Sequence, residues 1–360
     1  MTKKNIRLVF TGDLLPADRQ HTTGIGVGSN IAKGEYLWSG EIRELFLSAD
    51  MTVVNLEAPL VNATAESKKA AFAGKPKIVE EFNRSEITHA HIANNHILEH
   101  GEDSWHNTLS LLRGKGIEAV GIQENQSSNI VVKEMQGLTM ALAGFNAIHD
   151  IANPRCYAAL TEENVMAALA MNQMQKADIR ILMFHWGNEY IHIPSWGQRQ
   201  LARRCIDGGA NIIIGHHPHV IQPVEEYNKG LICYSLGNFL FDMLWSNSVR
   251  TGLIMEIKIG QDKSFAWRVH PCRYDKNLQV HLLKDQLVQK RLKKWQHKME
   301  DFAAKGELVY ERTYTRELKF NRFLARLQMK KQLMMQLLRI PASERKKILK
   351  SIFRKLKSQR

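Results

Sequence analysis

The stretch Asn211-Ile-Ile-Ile-Gly-His-His-Pro-His219 is a run of β-branched residues that stops abruptly in three imidazoles. Isoleucines of this kind suit a pleated, packed surface, and the run is too short for a helix, so Ile212–Ile214 reads as a buried strand. Histidines crowded at its end offer no packing benefit, and a solvated loop rarely selects them, which points to ligation. Outward from this stretch the arrangement recurs: Ile6–Phe10 leads to Asp13, Met51–Asn55 to Glu57, Ile87–Ala93 to Asn94-Asn-His96, and Asp178–Phe184 to His185. Further strands are read at Ile117–Val120, Ile130–Lys133, Thr139–Ala143, Leu231–Tyr234 and Gly252–Ile259. Amphipathic segments between them predict helices at Glu41–Ser48, Glu102–Lys115, Thr161–Gln175 and Gln198–Asp207, the last stopped by Gly208-Gly209. Alternating strands and helices over residues 6–260 make the chain α/β. Glu134-Met-Gln-Gly137 reads as a hairpin turn, so the sheet arrangement is mixed.

In open α/β sheets the site lies outside the carboxyl ends of the strands, so residues far apart in sequence converge there. Carboxylate, amide and imidazole together suit zinc, manganese or iron, whereas oxygen alone would suit magnesium or calcium. Each element also has a plainer reading. Asp13 after a glycine is a turn or cap residue, Asn94-Asn95 form a turn, and His96 is a buried, satisfied histidine. His89, His91, His100, His106, His149, His192, His270, His281 and His297 are scattered and read mostly as structural. Gly24-Ile-Gly26-Val-Gly28 lacks a leading strand and a following Lys-Ser/Thr, so it reads as a flexible loop rather than a phosphate loop.

The 360 residues suffice for one large α/β domain with an appendage. A composition 44% hydrophobic and 24% charged is that of a globular protein, with no apolar run near the ~20 residues of a membrane span. The basic start followed by Ile6–Phe10 is shorter than a signal h-region and reads as a first strand. Cys156, Cys205, Cys233 and Cys272 are widely spaced, which disfavours a disulfide scaffold or zinc knuckle and fits a cytoplasmic setting. The net charge of +14 is uneven: residues 281–360 hold 23 Lys and Arg against 7 Asp and Glu, or +16, leaving 27 against 29, or −2, for residues 1–280.

The series Phe10-Thr-Gly-Asp13, Asn55-Leu-Glu57, Ala93-Asn-Asn-His96, His185-Trp-Gly-Asn-Glu189, Gly215-His-His-Pro-His-Val220-Ile-Gln-Pro223 and Tyr234-Ser-Leu-Gly-Asn-Phe239 resembles the motif series of the CapA-type capsule-synthesis (poly-γ-glutamate biosynthesis) family. That family resembles the wider calcineurin-like metallophosphoesterases. The resemblance implies a four-layer α/β/β/α sandwich with mixed sheets, and one or two divalent ions, Mn, Zn or Fe, at the strand ends. It implies Asp13 and His219 on a first metal, Asn95, His185 and His217 on a second, and Glu57 bridging both. His96 would lie beside the substrate as proton donor or charge stabiliser, with Glu189 as a second catalytic group. Asn55, Asn94, His216 and Asn238 would line the substrate or support the ligands. Leu15 stands where the wider superfamily has a ligating His, which leaves the first site one ligand short unless Glu189 or Asn55 compensates.

Cations so placed would lower the pKa of a bound water toward ~7 for attack on phosphorus or carbonyl carbon. The expected activity is therefore metal-dependent hydrolysis, a phosphoesterase first, in synthesis or processing of an anionic capsular or poly-γ-glutamate-type polymer; the ligands do not separate phosphoester from amide substrates. The alternative is a non-catalytic, metal-containing assembly or export factor. The sequence divides into residues 1–275, the metallophosphoesterase-like domain, and 280–360, a basic amphipathic helical extension. In Arg345–Leu356 the residues Ile348, Leu349, Ile352, Phe353 and Leu356 share one face and lysines and arginines the rest. A second apolar cluster, Phe323 to Leu338, precedes Pro341, which should end its helix. Such helices either meet a membrane surface or a synthase complex, or cover an apolar patch of the domain. Aromatics on their apolar faces, not interleaved with the basic residues, disfavour nucleic acid.

Overall fold

The computed structural model describes residues 5–20, 22–62, 71–123, 129–148, 156–284 and 286–339. In chain order its elements are β1 (Ile6–Leu14), α1 (Val27–Lys33), α2 (Gly40–Leu47), β2 (Met51–Leu56), α3 (Ile78–Arg84), β3 (His89–His91), α4 (Gly101–Arg113), β4 (Glu118–Val120), β5 (Ile130–Met135), β6 (Leu138–Asn146), α5 (Glu162–Ala170) and α6 (Asn172–Lys176). They continue with β7 (Ile179–His185), α7 (Trp196–Asp207), β8 (Ile212–His216), β9 (Val224–Tyr227), β10 (Gly230–Cys233), β11 (Asn238–Leu240), α8 (Asn247–Arg250), β12 (Thr251–Ile259), β13 (Phe265–Tyr274), β14 (Val280–Leu282), α9 (Gln286–Ala304) and α10 (Glu307–Arg339).

Two mixed sheets result. One runs β14-β13-β12-β1-β2-β3-β4 with β11 beside β1, and the other β5-β6-β7-β8-β10-β9. Period-two alternation builds the layers. On β1, Leu8 and Phe10 point between the sheets and meet Ile181, Ile212 and Ile214, while Val9 points outward. Ile213, between two inward isoleucines, likewise faces out. The outer face of the first sheet is covered by α2, α3 and α4 through Ile42, Phe46, Phe82, Trp105 and Leu109. That of the second is covered by α5, α6 and α7 through Val165, Met174, Ala202 and Cys205. The product is a four-layer α/β/β/α sandwich with mixed sheets. The hairpin turn is where the sequence places it: Gln136 (φ 50°) and Gly137 (φ 84°) join antiparallel β5 and β6.

Several expectations change. The predicted helix over 161–175 is two helices, because Met171 is extended (ψ 145°) and Gln175 Nε2 caps the first by donating to Leu169 O at 2.7 Å; both pieces bury apolar residues on the same core, so periodicity cannot show the break. The glycine-rich stretch is not a flexible loop. Asp18 accepts from Gly24 N and Ser29 N, both at 2.9 Å, and this fastens the turn that opens α1. The strands β9, β11, β13 and β14 are additional to those read from the sequence.

The C-terminal segment packs on the domain over much of its described length. Val288 and Leu292 of α9 join the core between the sheets, and Met299, Tyr310 and Tyr314 join the outer core over α7. Beyond them Phe320, Phe323, Leu324 and Leu327 of α10 are exposed. Pro341 and Arg345–Leu356 lie outside the described residues. Among the described residues no helix is long and apolar enough to cross a membrane.

Candidate metal centre

Parallel pairing aligns the strand ends. Asp13 of β1 is in register with Asn55 of β2, and His185 of β7 with His216 of β8. The two sheets therefore deliver carboxylates from one side and imidazoles from the other into one cleft. Glycines allow the close approaches this needs: a Cβ on Gly12 would lie 2.1 Å from Gly237 O, and one on Gly215 2.1 Å from Tyr234 O. The turn after β8 is strained, with His217 at φ 93° and His219 at φ 56°, both in the left-handed region that L side chains rarely adopt. This strain directs both imidazoles inward, to 5.7 Å between ring centres.

Two ligand groups form around one carboxylate. Glu57, His185 and His217 bring ligand atoms within 4.8 Å of one another, and so do Asp13, Glu57 and His219. His185 Nε2 lies 3.9 Å and His219 Nε2 3.7 Å from Glu57 Oε1. Two atoms bound at ~2.1 Å to one ion at tetrahedral angles are separated by ~3.4 Å, so modest shifts seat an ion in each group. Asn95 joins the first group, its Oδ1 2.9 Å from His185 Nε2. Both Glu57 oxygens are fully buried without a hydrogen-bond partner, as are His185 Nδ1 and His217 Nδ1. An unpaired buried carboxylate is costly, and cations on both sides of it remove that cost. The residues present thus fit two divalent ions.

The surrounding groups aim the ligands. Asn238 Oδ1 lies 2.9 Å from His219 Nδ1, which leaves Nε2 toward Glu57. Asn55 donates from Nδ2 to Asp13 Oδ1 at 2.8 Å, and its Oδ1 lies 3.0 Å from His91 Nδ1. That commits Asn55 to orienting Asp13, so it does not replace the ligand lost at Leu15, whose side chain is buried in the outer core. The His217 amide donates to both Asp13 oxygens at 3.3 and 3.4 Å. His216 Nε2 donates to Thr11 O at 3.1 Å and keeps β8 against β1. Asn94 donates to Leu56 O at 2.8 Å and accepts from His96 N at 3.2 Å, which ties the third strand end to the second. His96 stacks on Phe72 at 4.0 Å, with its Nδ1 3.7 Å from Glu99 Oε1. Sequence reasoning passed over His91 as one of the scattered histidines; its place in alternation on His89-Ala-His91, next to a motif strand, was the available signal.

Electrostatics follow burial. Burial pushes the Glu57 carboxyl well above the usual range. Burial also acts on Asp13, but the His219 hydrogen bond and the His219 and His216 charges outweigh it and hold Asp13 low. His219 is buried too, yet Glu57 and Asp13 raise it to about 10. Burial drives His185 well below its ordinary value and His217 to about 4, so both are neutral and ready to ligate. Glu189 is raised by burial and brought down further by the charge of His219, which places an anionic carboxylate at the cleft.

The chain is thus a two-sheet α/β sandwich with imidazoles and carboxylates gathered at the strand ends. The family described as bacterial capsule synthesis protein PGA_cap matches residues 7–243, and the chain belongs to that family. The PGA biosynthesis protein CapA of Bacillus subtilis (strain 168) is 29% identical over 294 residues, which cover 77% of this chain and 76% of that one. The capsule biosynthesis protein CapA of Bacillus anthracis is 30% identical over 228 residues, covering 58% of this chain and 54% of that one. Among solved structures, a phosphatase of Mycoplasma pneumoniae aligns over 75% of this chain and 94% of its own at 12% identity, with a TM-score of 0.47.

Proposed function

We propose that the protein is a metal-dependent hydrolase, a phosphoesterase, acting in the synthesis or processing of an anionic capsular or poly-γ-glutamate-type polymer. The observation that carries this reading is Glu57, whose two buried, unpartnered oxygens are shared by two ligand groups. Divalent ions held there would supply an activated water and neutralise charge on a phosphoryl group. Asp13, fixed by Asn55 and the His217 amide, and His219, fixed by Asn238, would hold one ion. Asn95, His185 and His217 would hold the other. His96 is braced by Phe72 and its side chain is 20% exposed, so its ring is within reach of a bound substrate and would offer Nε2 to a leaving oxygen. Glu189 would orient the attacking water. In this reading residues 1–275 carry the chemistry, and residues 280–360 add basic charge toward a polymer, a membrane surface or a synthase complex.

The test is hydrolysis of bis-p-nitrophenyl phosphate and p-nitrophenyl phosphate with added manganese, for the wild-type protein and His217→Ala. Turnover that needs both manganese and His217 supports the reading. A folded, manganese-binding protein without turnover on either probe refutes it and favours the assembly-factor alternative.

A further inference from the structure

The segment that follows the ligand His185 is gripped from outside by α10. Asn188 Nδ2 donates to the Tyr314 hydroxyl at 3.0 Å, and Asn188 Oδ1 accepts from Arg322 Nη2 at 2.8 Å. The Tyr310 hydroxyl donates to Pro194 O at 2.8 Å, and Trp196 N donates to Glu311 Oε1 at 2.9 Å. Tyr310 and Tyr314 are buried and pack with Trp196 and Phe302 in the outer core. The helix is therefore a fixed wall along the segment that carries His185 and Glu189.

Arg322 is the outward end of this grip. Its side chain is exposed, and it is anchored to the residue immediately before Glu189. Burial raises the Glu189 carboxyl, and the charge of Arg322 adds a smaller pull to that of His219 in holding it low. A guanidinium has five N–H donors in a planar fork, and an amide oxygen occupies only part of it, so it can still take a carboxylate or phosphate. From Leu318 to Arg339 the helix has no acidic residue, and of the acids before it Glu317 is paired with Lys298 and Glu311 with the Trp196 amide.

We propose that Arg322 is a substrate-binding residue that docks an anionic group lying beyond the one held at the Glu57 centre, so that the C-terminal helix selects a polyanion over a monoanion. This rests on the reading that the cleft serves an anionic polymer. The ligand chemistry is a chain of repeating carboxylates or phosphates.

The experiment uses the full chain with manganese and two labelled probes, a γ-linked glutamate decamer and a ten-unit polyphosphate, followed by fluorescence anisotropy. Arg322→Ala should weaken binding of at least one probe about tenfold, with partial recovery in Arg322→Lys. Arg316→Ala removes the same charge from another exposed position of α10 and should bind as wild type does. The probe affected shows whether the polymer is a carboxylate or a phosphate chain. Equal binding by the Arg322→Ala and Arg316→Ala proteins overturns the proposal, as does failure of the wild-type protein to bind either probe. Loss of the manganese-induced thermal shift in Arg322→Ala also overturns it, since Arg322 would then act only by positioning the segment. Arg322-dependent binding in a protein that hydrolyses neither nitrophenyl probe would instead sustain the proposal while the hydrolase reading fails.

Discussion

Glu57→Gln removes the charge of the shared carboxylate and keeps its shape. An ion binding only the folded state at a hundred times its Kd stabilises it by about 2.7 kcal/mol per site. At about 2 °C per kcal/mol for a chain of this size, one site gives a rise of about 5 °C in Tm and two give about 10 °C. His217→Ala and His219→Ala touch one ligand group each and should each keep about half the wild-type rise. Glu57 belongs to both groups, so Glu57→Gln should lose the whole. Without metal two effects of the carboxylate oppose each other: both oxygens are buried without a hydrogen-bond partner, a penalty of about 1–3 kcal/mol, while the carboxylate attracts His219, so the metal-free Glu57→Gln protein should melt within about 5 °C of the metal-free wild type. Differential scanning fluorimetry at pH 7.5, with each variant compared against its own chelated sample, reads both effects. A Glu57→Gln protein that keeps the same manganese shift as either histidine variant would refute the shared-ligand geometry.

Mild chelation should remove the ion at Asp13, Glu57 and His219 before the one at Glu57, Asn95, His185 and His217, because Leu15 leaves the former with fewer protein ligands; metal analysis showing equal retention would contradict this. Burial puts His89, His192 and His217 at about 4, so unfolding takes up protons between pH 6.5 and 4, and stability present above 6.5 is lost as pH falls, by up to about 3 kcal/mol for each histidine. His219, which Glu57 and Asp13 raise to about 10 against the effect of burial, acts oppositely: its contribution is present below 6.5 and is lost as pH rises toward 10. Melting temperatures of the metal-free protein should therefore fall on both sides of neutrality, and a flat profile would count against the buried cluster. Ending the chain before Gln286 uncovers the sites of Val288, Leu292, Met299, Tyr310 and Tyr314, each worth about 1.5–3 kcal/mol, and should cause aggregation in light scattering; a soluble, monodisperse truncation would contradict their place in the core.

The sequence alone shows the α/β class and the candidate ligand types because both follow from local pattern, and the layered sandwich entered only through the family resemblance. Short β-branched runs specify strands, the hairpin turn specifies a mixed sheet, and the polar residue closing each run falls on the carboxyl edge by strand geometry. The mixture of imidazole, amide and carboxylate already suits a divalent transition-metal ion. What it cannot show is any contact set by packing between distant elements. Asn55 was open as a ligand or a support until its amide was seen to be shared between Asp13 and His91, residues 42 and 36 positions away. The C-terminal helices have one apolar stripe whether they meet a lipid, a partner or their own domain, because amphipathicity records that a face is covered and not what covers it. Tertiary structure assigns Val288, Leu292, Met299, Tyr310 and Tyr314 to the domain's own cores and sets Tyr314 and Arg322 against Asn188, more than a hundred residues away. Residue types and their order therefore determined the α/β class and the candidate ligand set, while long-range packing decided which side chains orient those candidates and which helix grips the segment after His185.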